Sequence, residues 1–375
     1  GCCLSFGVVA EEIELNLDLE KPRAGARSVY IPNPTSDRVA VVNASTFAIE
    51  SVEAGDEPNL LQTAPSRDLA VVLNAGSGDA TVLRTEQGKT SAETLPIGHQ
   101  SNALAMSPDG KHAIAFLDVS RSPGTGESFQ EVSVITLEES PSKVVQVTVG
   151  FRPRAVQFSS DGGRAFVVTE DGICEIVLAD LEGKTAALAR VVSVGDPFGQ
   201  SLSTDVSVTA DGLYAVARRS GEASIRLVTL SDGSIETLDL SALQEVETLA
   251  GDAGVGVDAG TPAPGLPAGA LVVSDLDLAP DGSFALAVER QNGALLRIPI
   301  PAGFSDASLV QVIEAGDSLV GSVTLGADGH TAALFTTAAS VEELTLLDLD
   351  SEAPARAVRL RKGVRSVALT EDGSK

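Results

Sequence analysis

Apolar and polar residues alternate with period two in short runs along most of this chain, and the runs come in pairs separated by Asp-Gly. The pairs are marked by Asp109-Gly110, Asp161-Gly162, Asp211-Gly212, Asp281-Gly282, Asp328-Gly329 and Asp372-Gly373, with a worn copy at Ser66-Arg67-Asp68. Period-two alternation puts successive side chains on opposite faces and predicts strands. Asp-Gly predicts a two-residue hairpin turn, whose backbone must reach positive φ. Recurrence at roughly 40 to 50 residues indicates blades or solenoid units, none able to bury its apolar face alone.

The third unit resolves into four strands: Asn102 to Ser107, Lys111 to Asp118, Glu131 to Leu137 and Lys143 to Val149. The fourth repeats them at Arg154 to Ser159, Arg164 to Thr169, Ile173 to Leu178 and Arg190 to Val194, and later units open at Thr204 to Thr209, Ser274 to Ala279 and Ser322 to Leu325. Four antiparallel strands per unit make the blade of an all-β propeller.

The stretch Ser28 to Pro58, SVYIPNPTSDRVAVVNASTFAIESVEAGDEP, resembles the YVTN-type propeller repeats of bacterial and archaeal surface proteins. Tyr30-Ile31-Pro32-Asn33 stands at the tetrad, with Pro32 departing from it, and the Ser-Pro-Asp-Gly ending is intact at Ser107 to Gly110. The resemblance covers residues 28 to 375 and implies the fold far more than any activity. Aligned this way, the first unit lacks an inner strand and the chain ends with a spare one, Arg365 to Thr370. We therefore expect seven blades, the ring closed by this C-terminal strand joining the N-terminal blade, after an N-terminal tether or strand segment, residues 1–27. The alternative uses Ile13, Leu15, Leu17 and Leu19 as the missing strand and leaves an eighth, truncated blade; Lys21 to Arg27 makes a long, turn-poor link for it.

Composition fits one ring of units. The chain has 375 residues, 43% apolar but only 3% aromatic and without Trp, so small and β-branched residues must pack the core. Its net charge of −26 argues against nucleic acid and anionic lipid as partners. A solvated surface accounts for this acidity more simply than salt adaptation or cation binding. No apolar run approaches the roughly 20 residues of a spanning helix. The opening Gly1-Cys2-Cys3 resembles the end of a bacterial lipoprotein signal, making Cys2 a lipidation candidate, with an arbitrary fragment boundary as the competing reading. Cys174, in an apolar strand, reads as a buried free thiol.

In a four-stranded meander, the loops after the second and fourth strands leave one face and the Asp-Gly turns leave the other. The first face carries Asp56, Glu57, His99, Gln100, Phe151, Arg152, Asp196, Phe198, Asp317 and Lys362, our binding candidates, and two insertions, about 120–130 and 243–270. Many of these side chains need do no more than cap turns. No catalytic set emerges from three His, of which His112 and His330 sit beside Asp-Gly turns, and no cofactor or metal is implied. Asp275, Asp277 and Asp281, or Asp348 and Asp350, lack the spacing of a calcium loop and read as outward strand positions.

These features predict a non-enzymatic propeller, exported to the periplasm, outer membrane or cell surface of a bacterium. It would bind a protein partner or a surface polymer through its loop-rich face and meet the membrane only through a lipid at Cys2. One alternative is similarity to propeller lactonases, with Glu57, His99, Arg152 and Asp196 around a lactone at the channel mouth. The other is a structural subunit of a larger envelope assembly.

Overall fold

The computed structural model describes residues 19–64, 66–98, 100–121, 130–195, 203–219, 222–243, 271–314, 320–338, 340–351, 355–367 and 369. The chain folds as a seven-bladed β-propeller, its seven sheets each a run of four consecutive antiparallel strands apart from one strand exchange. It divides after Val191 into two compact units, the first with four sheets and the second with three.

In the first unit, sheet one holds β1 (Arg23–Ala24), β2 (Ser28–Asn33), β3 (Arg38–Asn43) and β4 (Ile49–Glu53). Sheet two holds β5 (Pro58–Thr63), β6 (Leu69–Asn74), β7 (Asp79–Glu86) and β8 (Lys89–Pro96). Sheet three holds β9 (Ala103–Met106), β10 (His112–Phe116), β11 (Glu131–Thr136) and β12 (Lys143–Thr148). Sheet four holds β13 (Ala155–Phe158), β14 (Arg164–Thr169), β15 (Gly172–Val177) and β17 (Arg190–Val192). The exchanged strand is β16 (Ala186–Leu188), which leaves the fourth sheet to pair in parallel with β12, Gln146 opposite Ala186.

The second unit holds β18 (Ser203–Val208), β19 (Tyr214–Arg219), β20 (Ser224–Thr229) and β21 (Ile235–Asp239) in sheet five. Sheet six follows with β22 (Val273–Leu278), β23 (Phe284–Glu289), β24 (Ala294–Pro299) and β25 (Gln311–Glu314), a one-turn helix α1 (Ala302–Ser305) lying before β25. Sheet seven holds β26 (Ser322–Leu325), β27 (Thr331–Phe335), β28 (Glu343–Asp348) and β29 (Arg356–Arg359).

The core sits between neighbouring sheets. Leu69, Val71 and Leu73 of sheet two pack with Ala113, Ala115 and Ile135 of sheet three, and Ile225 and Leu227 of sheet five pack with Ala285, Leu296 and Ile298 of sheet six. Within each unit, neighbouring blades bury their apolar faces on one another, as expected of a repeat without a core of its own. In an aromatic-poor chain Ala, Val, Leu and Ile fill this space; Tyr30 and Phe166 are the aromatic exceptions among its largest fully buried side chains.

The Asp-Gly turns are longer than expected. Gly110, Gly162, Gly212, Gly282 and Gly329 all have positive φ, but the aspartates before them do not. In the third blade, Ser107 N–H donates to the His112 carbonyl and Gly110 N–H to the Ser107 carbonyl, a four-residue loop. The Ser107 hydroxyl donates to Asp109 at 2.6 Å and accepts from His112 N–H at 2.9 Å. Ser159 with Asp161 and Thr209 with Asp211 repeat this brace, also at 2.6 Å. The hydroxyl two residues before Asp stabilises a type I turn closed by Gly, so only Gly must be left-handed. A two-residue turn does occur, at Gln87-Gly88 between β7 and β8, with φ +52° and +81°.

Two further expectations change. The edge strand of sheet one is β1, not Arg365 to Thr370; the described residues 365–367 and 369 carry no strand. The turn-poor link is held from outside its own sheet. Ala26 N–H reaches the Arg67 carbonyl, Thr63 Oγ1 reaches the Ala24 carbonyl at 2.7 Å, and Asp68 takes both the amide (2.7 Å) and Nε (3.3 Å) of Arg27. Residues 13–17 of the alternative lie outside the described residues. Asp275 and Asp277 are not outward-facing. Their carboxylates accept the Val323 and Leu325 amides at 2.9 and 2.8 Å, tying β22 to β26, and burial pushes Asp277 upward in pKa.

Candidate binding groove

Three inter-blade loops of the first unit share one geometry. Gly55, Gly98 and Gly150 each face the following blade; a Cβ would clash with Asp79 Oδ1 at 2.5 Å and with Thr169 Oγ1 at 2.4 Å at the first and third, and would make an ordinary contact with Ser133 Oγ at 3.4 Å at the second. Two residues on, Glu57, Gln100 and Arg152 all have positive φ, of +54°, +64° and +50°. The loops are bonded down: Asp56 N–H to Ser77 at 3.1 Å, Glu57 N–H to Asp37 at 2.9 Å and Phe151 N–H to Asp171 at 2.6 Å.

The expected candidates therefore project from built loops, but in separate places. The Arg152 guanidinium stacks over Phe151 at 4.8 Å and approaches Glu170 at 3.5 Å. Gln100 is exposed beside a cavity of about 290 Å³ lined by Ile97, Gly98, Ser133 and Gln146. Lys362, in the second unit, is exposed beyond β29. His99, Asp196, Phe198, Asp317 and Cys2, and nearly all of both insertions, lie outside the described residues. The lactonase-like set thus has only Glu57 and Arg152 within them. Among the described residues no group of His, Cys, Asp and Glu is placed to hold a metal, and no helix is long and apolar enough to cross a membrane.

A cavity of about 730 Å³ opens at the other edge of the sheets, between blades one and two. Its walls are turns that the sequence presented as mere connections. Arg27 and Ser28 come from β1–β2, Asn43, Ser45, Thr46 and Ala48 from β3–β4, Asp68 from β5–β6, and Gln87 and Gly88 from β7–β8. Val41 of β3, Ile49 and Glu50 of β4, Thr85 of β7 and Thr90 of β8 complete the lining. This volume lies within the usual range for ligand sites, whereas the smaller cavity falls just below it.

A chain of hydrogen bonds fixes the groove floor. The fully buried Tyr30 shares one with Thr85 at 3.0 Å, Thr85 with Thr90 at 2.9 Å, and Thr90 N–H donates to Glu50 at 2.9 Å. Burial pushes the Tyr30 phenol up, so it remains neutral. Asp68, whose side chain is 7% exposed, is held by Arg27.

At the rim, the β3–β4 turn carries an anomaly. Phe47 has φ +58° and is 76% exposed; its N–H bonds the Asn43 carbonyl, while Asn43 Oδ1 takes the amides of Ser45 and Thr46. The β20–β21 turn has the same pattern, Gly233 N–H to the Thr229 carbonyl, with glycine at φ +77°. A bulky residue in this backbone region is a true outlier. Here the aromatic is strained and solvated at once, two costs with no return to the fold. Ile49, two residues on, is 72% exposed. Sequence reading passed over Phe47 because it lies in the stretch matched to the repeat; the usable signal was Phe where a turn asks for Gly or Asn.

No protein-family model matches the chain, and no curated protein sequence is similar to it. Solved structures are. Dihydro-haem d1 dehydrogenase NirN aligns with TM-score 0.54 and 14% identity over 91% of this chain and 66% of that one. Chaetomium thermophilum Sqt1, bound to the N-terminus of ribosomal protein L10, aligns with TM-score 0.51 and 15% identity over 88% of this chain and 84% of its own. At these identities the likeness is one of fold: both are β-propellers.

Proposed function

We propose that this propeller is a non-catalytic binding module that holds an extended polymer, a protein segment or a surface polymer, in the groove between its first two blades. The observation that supports this reading is the groove of about 730 Å³, with polar lining residues fixed by hydrogen bonds and an exposed, strained Phe47 standing between two lining residues, Thr46 and Ala48. Groups locked before a ligand arrives lose little entropy on binding. Sqt1 gives an example of the fold holding a protein N-terminus. The reading moves the binding surface from the inter-blade loops to the turns at the opposite edge of the first two blades. Residence in the bacterial envelope, with Cys2 as lipid anchor, belongs to the same proposal, and the mass of the N-terminal peptide from native membranes tests it.

The groove itself is tested on peptide and polysaccharide arrays with two tryptophan variants. Ser45→Trp fills the groove from an exposed turn, and Gln100→Trp marks the opposite edge. We expect Gln100→Trp to bind like wild type and Ser45→Trp to lose roughly tenfold or more. Binding lost only in Gln100→Trp would return the site to the inter-blade loops, and an array silent to wild type would refute the reading.

A further inference from the structure

The chemistry of the groove narrows its occupant, on the reading that the groove binds. Its lining mixes seven hydroxyl- and amide-bearing side chains, one guanidinium and two carboxylates with the apolar side chains of Val41, Ala48 and Ile49. Those carboxylates are already engaged, Asp68 by Arg27 and Glu50 by the Thr90 amide. They retain lone pairs for hydroxyl donors but offer little field to a cation. An anionic polymer meets a protein of net charge −26. The groove's apolar members, Val41, Ala48 and Ile49, include no aromatic side chain for a protein anchor to pack against. What remains is a neutral ligand rich in hydroxyls, with an apolar face for an exposed ring to cover.

We propose that the groove binds a neutral carbohydrate chain, with Phe47 as the platform on which one sugar ring stacks. Stacking needs the aromatic to stand out from the surface, and the left-handed backbone of Phe47 achieves this in a turn where Gly233 shows that glycine would fit. Thr46 and Gln87, on the two facing turns, are exposed and supply hydrogen bonds to ring hydroxyls, and Ile49 extends the apolar strip.

The chain has no Trp, so Phe47→Trp introduces a single fluorescent reporter at the platform. We would titrate it with defined neutral oligosaccharides of glucose, mannose, galactose and N-acetylglucosamine, and measure wild type and Phe47→Gly by calorimetry and thermal melting. The expected result is a saturable blue shift in Phe47→Trp, loss of binding by roughly tenfold or more in Phe47→Gly, and an unchanged or higher Tm for Phe47→Gly. That last readout separates a ligand contact from a structural role, which would lower the Tm. Glycan binding untouched by Phe47→Gly overturns the platform. Peptide binding that needs Phe47, without glycan binding, overturns the carbohydrate and keeps the groove, whereas no binding to either overturns both.

Discussion

Ser159 is buried, and its hydroxyl both braces the Asp161 carboxylate and receives the Arg164 amide at 2.9 Å. The Ser159 hydroxyl is the chief reason that Asp161 is held below the ordinary carboxylate range. Asp281 and Asp328 are lowered too, by Ser283 and by the Thr331 amide respectively. A lowered folded pKa gives stability that is complete above the unfolded value, about 3.9, and lost as pH falls through the folded one. Asp205 and Asp277, raised by burial, have the opposite sign: their cost is complete above the folded value and vanishes towards the unfolded one. Urea midpoints should therefore rise gently as pH falls from 7 and drop steeply below about 4. Ser159→Ala should cost about 1 kcal/mol at pH 7 and flatten the acid limb. The Asp and Gly of these turns were legible in sequence. The brace was not, because it depends on a hydroxyl two residues upstream whose role appears only once the loop is closed.

Glycines divide by what they are for. Gly150 has ordinary φ, but a Cβ there would lie 2.4 Å from Thr169 Oγ1, whereas Gly88 has open space around it and φ +81°. Gly150→Ala should cost about 2 kcal/mol from contact alone, and Gly88→Ala about 1 kcal/mol from backbone strain alone. Chemical denaturation resolves the two, and a smaller loss at Gly150 would mean that the neighbouring blade yields. Strand positions were readable because alternation is local: Arg164–Thr169 and Ser322–Leu325 fall where expected. The strands that escaped notice, β1 and β16, have two and three residues and exist through pairing or anchoring across blades. No local pattern can announce them.

For the molecule as a whole, the repeat disclosed seven blades, since a period survives any drift in individual residues. The groove stayed hidden because its walls are four turns from two blades, contiguous in space and scattered in sequence. Charge acts at this scale as well. Against 52 acidic side chains stand 26 basic ones, and several of the ion pairs are exposed, such as Lys143 with Glu139 at 2.6 Å. Exposed pairs contribute little, so repulsion dominates, and raising salt from 0.01 to 0.1 M shortens the screening length from about 30 to about 10 Å. Tm should rise over this range; a fall would show that the ion pairs outweigh the repulsion.

Asp68 stands where the repeat looked worn, and it is the residue that grips Arg27. Near-identical units invite a chain to skip a blade, or to lend one to a neighbouring molecule, because each apolar face can accept several partners. A carboxylate that recognises one particular hairpin acts as an address, telling blade two which unit precedes it. The irregularity in the repeat would then be what keeps the blades in order.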